Sequence, residues 1–212
     1  MSTFMMEQHT WTCQSPRLEK ALTRGASERN DAAFQALVAC LVLDAARGVT
    51  LYSPSYPMEE VPMQFRVRNC PAMVLYLDET AAGKCGHLCN TTDDHRYFLT
   101  MERAVPVPLG DALTGLRNAG GALALNLGLK NTVVLPPQVV DTIQHLYQYR
   151  STGWKFPAGS AWNEWAGIVD RFAQSPDAAR TAPETREAGK EEVTVPLGNI
   201  RRDGKRSVFC LE

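Results

Sequence analysis

The sequence predicts a mixed α/β (α+β) protein: a small mixed sheet flanked by helices, with a carboxyl-terminal helix and β-hairpin as an appendage. Three observations lead to this prediction. Apolar residues at helical spacing alternate along the chain with short apolar runs of strand length. Proline and glycine stand at the borders of these segments. The 212 residues are 44% hydrophobic and 21% charged, which is typical of a globular chain rather than a disordered one.

The first fifty residues predict two helices followed by a strand. Ser15-Pro16 favours a helix start, and Gly25 is expected to end that helix. A second helix begins at Asn30 or Asp31 and closes at Gly48. Its apolar positions follow the helical repeat: Phe34, Leu37, Val38, Leu41, Val42 and Ala45. Residues 49–53 then have the pattern of a strand that Pro54 stops.

The middle of the chain predicts irregular structure with short strands. Prolines recur between residues 54 and 71, which indicates a long loop with an extended piece near residues 65–68. Residues 73–77 are continuously apolar and predict a buried strand, whereas residues 78–83 are expected to turn. Two further short strands are expected: 97–100 and 104–107.

A helix, two strands and another helix are predicted next. Residues 109–118 form the first helix, and Gly120-Gly121 ends it. The turn Asn126-Leu127-Gly128 lies between two predicted strands, 122–125 and 132–135. Pro137 opens the second helix, which runs to about Tyr149.

The character of the chain changes after Arg150. Residues 160–173 predict a helix with an aromatic stripe, whereas residues 175–192 hold eight charged residues in eighteen and predict a solvated linker. Asp203-Gly204 suits the turn of a terminal hairpin. The expected units are therefore a domain, an aromatic-rich helix, a polar linker and a hairpin tail: 1–150, 151–175, 176–192 and 193–212.

Several short motifs resemble the SseB-like (enhanced serine sensitivity) amino-terminal domain family. They cover residues 31–146: Leu51-Tyr52-Ser53-Pro54, the helix near Asp111, Gly120-Gly121, Ala124-Leu125-Asn126-Leu127-Gly128 and Leu135-Pro136. Leu127 replaces the proline of the family's usual Asn-Pro-Gly, and Phe98-Leu99-Thr100 only approximates its Phe-Thr pair. The resemblance implies a small cytoplasmic bacterial binding module without established catalysis. Some similar domains accompany secreted toxins as immunity partners.

Composition argues against several function classes. The net charge of −1 gives no basic excess for nucleic acid or an anionic membrane surface. The first residues lack the pattern of a secretory signal, so we expect a cytoplasmic protein in which the six cysteines are thiols. No phosphate loop, dinucleotide fingerprint, Gly-x-Ser-x-Gly or His-Glu-x-x-His motif is present, and nothing in the sequence requires an enzyme.

One cluster has the residue types of a metal site. If residues 85–89 form a strand, Cys85, His87 and Cys89 point to one face, and His95 or Cys70 would complete a tetrahedral zinc site. The alternative is a hairpin that carries two small thiols and exposed imidazoles. No other cofactor is expected.

Two other groups are candidate binding residues. Asn126 and Gly128 would contact a small ligand, or would only hold their turn, since both tolerate left-handed backbone. Trp154, Phe156, Trp162 and Trp165 lie within twelve residues and would bind a partner protein, or would pack as core.

The function predicted from these observations is a non-catalytic protein-binding module, such as an immunity or adaptor protein that binds another bacterial protein, for example a secreted effector. Two alternatives stay open: a zinc-binding domain or small zinc-dependent enzyme, and a small-ligand sensor.

Overall fold

The computed structural model describes residues 2–6, 9–28, 30–56, 59–93, 103–175, 184–188, 191–203 and 206–211. The strands are β1 (Ser2–Met6), β2 (His9–Cys13), β3 (Thr50–Pro54), β4 (Gln64–Val67), β5 (Cys70–Leu75), β6 (Ala104–Pro108), β7 (Ala122–Leu125), β8 (Val133–Leu135), β9 (Glu184–Ala188), β10 (Glu191–Val195), β11 (Leu197–Asp203) and β12 (Arg206–Leu211). The helices are α1 (Pro16–Glu28), α2 (Asp31–Ala46), α3 (Glu79–Asp93), α4 (Leu109–Ala119), α5 (Pro137–Thr152) and α6 (Trp162–Ala173).

The predicted mixed α/β fold is confirmed. The central sheet has the order β11-β12-β4-β5-β7-β8, in which β5 and β7 are parallel, as are β12 and β4, and the other neighbours are antiparallel. All four residues of β7 are buried, as expected for a strand covered on both faces. Just beyond the end of β5, Tyr76 exchanges two backbone hydrogen bonds with Tyr52 of the antiparallel β3–β6 pair.

The two faces of the sheet belong to two hydrophobic cores, because successive side chains of a strand point to opposite sides. Leu75, Leu123 and Leu125 lie in the core formed with α1, α2, α4, α5 and α6. Val74 and Ala124 lie in the other core, which contains buried residues of α3 and of the terminal hairpin.

Helix α2 lies at the centre of the helical side. It contacts α1, α5 and α6, which explains why it is apolar around most of its circumference rather than on one stripe. The predicted boundaries are confirmed, since the Asn30 side chain accepts a hydrogen bond from the Ala33 N–H at 2.8 Å and Gly48 has a φ of 71°.

Helix α1 continues past Gly25, so the predicted end there is wrong. Gly25 lies inside the helix and faces α2, where an added Cβ would be 3.8 Å from the Leu37 side chain. The start is as predicted: the Ser15 hydroxyl accepts a hydrogen bond from the Leu18 N–H at 3.2 Å.

The segment that begins at residue 78 is a helix, α3, and not the predicted turn followed by a strand or hairpin. The Asp78 carboxylate accepts a hydrogen bond from the Thr80 N–H at 2.7 Å, and buried residues follow at helical spacing: Ala81, Ala82, Cys85 and Cys89. Gly86 obscured the pattern. It lets the helix approach other backbone closely, because an added Cβ would lie 3.2 Å from the Arg103 carbonyl oxygen.

The prediction of a polar linker at residues 176–192 is also partly wrong, because two strands begin in this segment. Strands β9 and β10 pair with β2 and β1, and both pairings keep one antiparallel register, from Cys13 opposite Glu184 to Ser2 opposite Val195. Backbone pairing with a distant segment stabilises a polar strand that has no apolar periodicity of its own. The predicted strand at residues 97–100 lies outside the described residues.

The terminal hairpin is present and belongs to the central sheet. Strand β12 pairs with β11 on one side and with β4 on the other. The Tyr56 hydroxyl donates a hydrogen bond to the Ser207 carbonyl, and Arg206 forms an ion pair with Glu59 at 2.6 Å. Whether the hairpin is part of the domain was open from the sequence; these contacts join it to the domain.

Candidate functional site

Helix α5 ends at Gly153, and this turn places an aromatic stack at the surface. Gly153 adopts a left-handed conformation with φ 69°, and its N–H donates to the Tyr149 carbonyl at 3.1 Å. The chain then leads through Trp154 and Phe156 towards α6, whose first residue is Trp162.

Five rings form a continuous series of contacts, here named the aromatic stack: Trp154, Phe156, Tyr149, Trp162 and His145. Phe156 is the middle ring, stacked on Tyr149 at 5.2 Å and on Trp162 at 5.9 Å between centroids. Trp162 in turn stacks on His145 at 5.1 Å. Trp154 meets Phe156 edge-on at 4.9 Å, a favoured geometry for aromatic pairs.

A polar network holds His145, which lies at the opposite end of the aromatic stack from Trp154. The Arg117 guanidinium donates to the Gln144 amide oxygen at 2.7 Å, forms an ion pair with Asp141 at 3.0 Å, and lies 3.3 Å from the His145 Nε2 atom. The other ring nitrogen of His145 lies 3.0 Å from the Asp141 carbonyl oxygen. These contacts fix the imidazole on which Trp162 stacks.

Exposure separates the members of the stack. Phe156 is 7% exposed and is therefore core, whereas Trp154 is 52% exposed. Trp162 is half-buried between its two stacking partners. The stack thus leads from the protein interior to one exposed indole.

Trp165 lies apart from this stack. It is half-buried on α6 and packs edge-on against Phe34 of α2, with centroids 6.1 Å apart. Of the four aromatic residues predicted together, the structure brings together Trp154, Phe156 and Trp162, and it gives Trp165 another partner.

The proposed zinc ligands do not have the geometry that the sequence analysis assumed. Cys85 and Cys89 lie one turn apart on α3, both fully buried, while His87 is half-buried and stands about 200° around the helix from Cys85. His95 lies outside the described residues. Within the part of the chain that the structure describes, no three Cys, His, Asp or Glu side chains are grouped as metal ligands would be.

The surroundings of the two thiols are apolar and hydrogen-bonded. Burial raises the pKa of the Cys89 thiol well above its ordinary value, with the Cys85 contact adding to the effect. Burial also raises the pKa of the neighbouring Tyr76 phenol, whose hydroxyl donates to the Leu127 carbonyl at 2.8 Å. A protonated, buried thiol such as Cys89 is a poor nucleophile and a poor metal ligand.

Asn126 has its polar groups engaged within the protein. Its side-chain oxygen accepts from the Leu77 N–H at 3.2 Å, and its amide nitrogen donates to the Asn131 side chain at 3.0 Å. Its φ of 50° is the left-handed conformation that the turn requires. Gly128 has a φ of 84°, and its carbonyl accepts a hydrogen bond from Thr194 of β10. These contacts explain both residues as parts of the turn.

A buried ion pair was missed by the sequence analysis. Arg17 of α1 donates through Nε to the Asp44 carboxylate of α2 at 2.7 Å, and the Ser15 hydroxyl donates to the other carboxylate oxygen at 2.5 Å. Arg17 is 5% and Asp44 2% exposed. The available signal was Asp44, a charged residue within the most apolar helix, because a buried charge requires a partner.

Comparison with protein-family models, with curated proteins and with solved structures finds no match to this chain. The SseB-like resemblance therefore stays a prediction. Among the described residues, no helix is both long enough and apolar enough to span a membrane.

Proposed function

We propose that this chain is a binding module that contacts another protein through Trp154, and that it acts without catalysing a reaction. The observation that carries the proposal is the 52% exposed indole held edge-on by the buried Phe156 ring. Tryptophan is enriched among the residues that dominate binding energy at protein interfaces.

The fixed position of Trp154 favours binding. Its indole packs edge-on against the Phe156 ring, which is itself held between the Tyr149 and Trp162 rings. A side chain that is already ordered loses less conformational entropy when a partner covers it. The exposed half of a tryptophan amounts to about 100 Å². Its burial contributes about 2.5 kcal/mol at 25 cal/mol per Å².

The kind of partner follows from the family resemblance. A cytoplasmic bacterial immunity or adaptor protein would bind another protein, for example a secreted effector, in a stoichiometric complex. The zinc-binding alternative and the ligand-sensor alternative centred on Asn126 and Gly128 have no comparable support from the geometry described above.

Affinity capture from the native cells tests this proposal with three baits. The wild-type chain should retain one dominant protein at near-stoichiometric amount, and Trp154→Ala should lose most of it. Val134→Ala is the matched control, because Val134 is an exposed apolar residue (43%) on β8 and is not part of the aromatic stack. Capture of the same protein in equal amount by all three baits would refute the role of Trp154, and capture of none by the wild type would refute the binding-module proposal.

A further inference from the structure

A second aromatic side chain besides Trp154 is exposed among the residues that the structure describes. Phe34 at the start of α2 is 37% exposed. Like Trp154, it is held edge-on by another ring: Phe34 meets Trp165 at an interplanar angle of 86°, and Trp154 meets Phe156 at 75°. Edge-to-face contact is a favoured geometry for aromatic pairs. Each exposed ring is therefore positioned by a neighbouring ring.

Phe34 is ordered, but it is not part of the core. The Phe34 N–H donates to the Asn30 carbonyl at 3.0 Å, and the Asn30 side chain caps the same turn of α2. Phe34 follows the apolar repeat of α2, yet the buried cluster that contains the later apolar residues of this helix does not include it. The packing of α2 against its neighbours therefore leaves a fixed phenyl ring at the surface.

The first turn of α6 connects the two exposed rings. Trp162 belongs to the aromatic stack that ends in Trp154, and Trp165 contacts Phe34. Residues three apart on a helix have Cβ atoms about 5–6 Å apart and point in directions about 60° apart, so Trp162 and Trp165 lie on one side of α6. Both are half-buried. Aromatic side chains thus line the surface from Trp154 across α6 to Phe34.

We propose that Phe34 is a second anchor for the protein that Trp154 contacts, so that one interface covers Trp154, the first turn of α6 and Phe34. This inference rests on the proposed function. An interface of usual size buries about 800 Å² on each partner and is about 30 Å across, which is wide enough for both anchors. The residues that dominate binding energy cluster within such a surface. The partner is then a protein surface that offers two apolar recesses.

The exposed surface of Phe34 sets the size of the expected effect. An exposed fraction of 37% corresponds to about 75 Å² of a phenylalanine side chain. Burial of this area at about 25 cal/mol per Å² corresponds to roughly a tenfold change in Kd for Phe34→Ala. Phe34→Tyr keeps the ring and its contact with Trp165, so its Kd should stay within about threefold of the wild type.

A double-mutant cycle tests whether Phe34 contacts the partner itself. The captured partner is titrated calorimetrically into the wild type, Phe34→Ala, Trp154→Ala and the double variant. Two separate anchors contribute independently, so the double variant should lose roughly three-hundredfold in Kd, the product of roughly tenfold and roughly thirtyfold. If Phe34 only supported the aromatic stack, Phe34→Ala would have no further effect in the Trp154→Ala background. Phe34→Met, which keeps an apolar side chain beside Trp165, provides the same cycle if Phe34→Ala does not fold.

Three results would overturn the second anchor. A Kd of Phe34→Ala within about twofold of the wild type would do so, and a simultaneous loss in Trp154→Ala would leave the proposed function intact. A wild-type chain that captures no partner would overturn both proposals. The third result is a wild-type dimer, measured by light scattering after size-exclusion chromatography, that Phe34→Ala converts to a monomer. That result would assign Phe34 to contact with a second copy of the chain.

Discussion

Removing Arg17 should destabilise the protein strongly, because Asp44 would keep a buried carboxylate without its counter-ion. Arg17→Met retains most of the side-chain length and removes the charge. Asp44 is 2% exposed, and the Ser15 hydroxyl would remain as a side-chain donor. Breaking a buried pair from one side costs about 3–5 kcal/mol. This is a large part of the 5–15 kcal/mol that is typical of the total stability of a domain.

A double-mutant cycle separates the cost of a lone buried charge from the value of the pair. Asp44→Leu should also destabilise, whereas Arg17→Met/Asp44→Leu should recover most of the loss, because apolar replacements of both partners are often neutral or better. The assay is urea unfolding of the four proteins at neutral pH, compared through the free energy of unfolding. A loss of less than about 1 kcal/mol for Arg17→Met, the value of a surface pair, would refute the reasoning.

The loss of unfolding free energy in Arg17→Met should depend on pH in a definite direction. Burial raises the pKa of Asp44 in the folded protein, and Arg17 and Ser15 partly offset that rise. Without Arg17 this pKa should rise further. Stability gained by protonation is fully present below the unfolded-state pKa and is lost as pH rises through the folded-state pKa. The variant should therefore recover part of its stability at acidic pH, and an equal loss at all pH values would contradict this assignment.

Four further variants and one labelling reaction test the fold. Gly121→Ala should cost about 1–3 kcal/mol, because its Cβ would lie 2.7 Å from the Leu116 side chain and 3.0 Å from the Pro71 carbonyl oxygen. Gly115→Ala, which has open space, should be stabilising by about 0.5–1 kcal/mol in the same unfolding assay. Asn126→Ala should destabilise by about 1 kcal/mol more than Asn126→Gly, since only alanine adds strain at φ 50°; equal losses would argue against it. A thiol reagent should label Cys70 and Cys210 in the folded protein, and label the four buried cysteines only on unfolding.

The spacing of apolar residues was sufficient to predict an element where that spacing matches the face that the folded protein buries. The α2 boundaries follow from Asn30, Gly48 and the apolar repeat, and β7 follows from a continuous apolar run. Helix α3 was not predicted, because Gly83 and Gly86 lower the helix propensity of this segment. The helix is stabilised instead by tertiary packing, in which Cys85 and Cys89 are buried.

Strand pairing between distant parts of the chain could not be predicted from the local residue pattern. The partners of β9 and β10 lie near the other end of the chain, so no neighbouring residues indicate that this polar segment forms strands. The same limitation applies to the sites. The clustering of Trp154 with Phe156 was predictable from spacing, whereas the pairing of Arg17 with Asp44 across 27 residues depends on how α1 packs against α2.

Calorimetric titration of the captured partner into the wild type, Trp154→Ala and Val134→Ala measures how much of the binding energy comes from Trp154. We expect Trp154→Ala to weaken binding by about 2 kcal/mol or more, roughly thirtyfold in Kd, and Val134→Ala to change it little. An affinity of Trp154→Ala within about twofold of the wild type would contradict the role of Trp154 in binding.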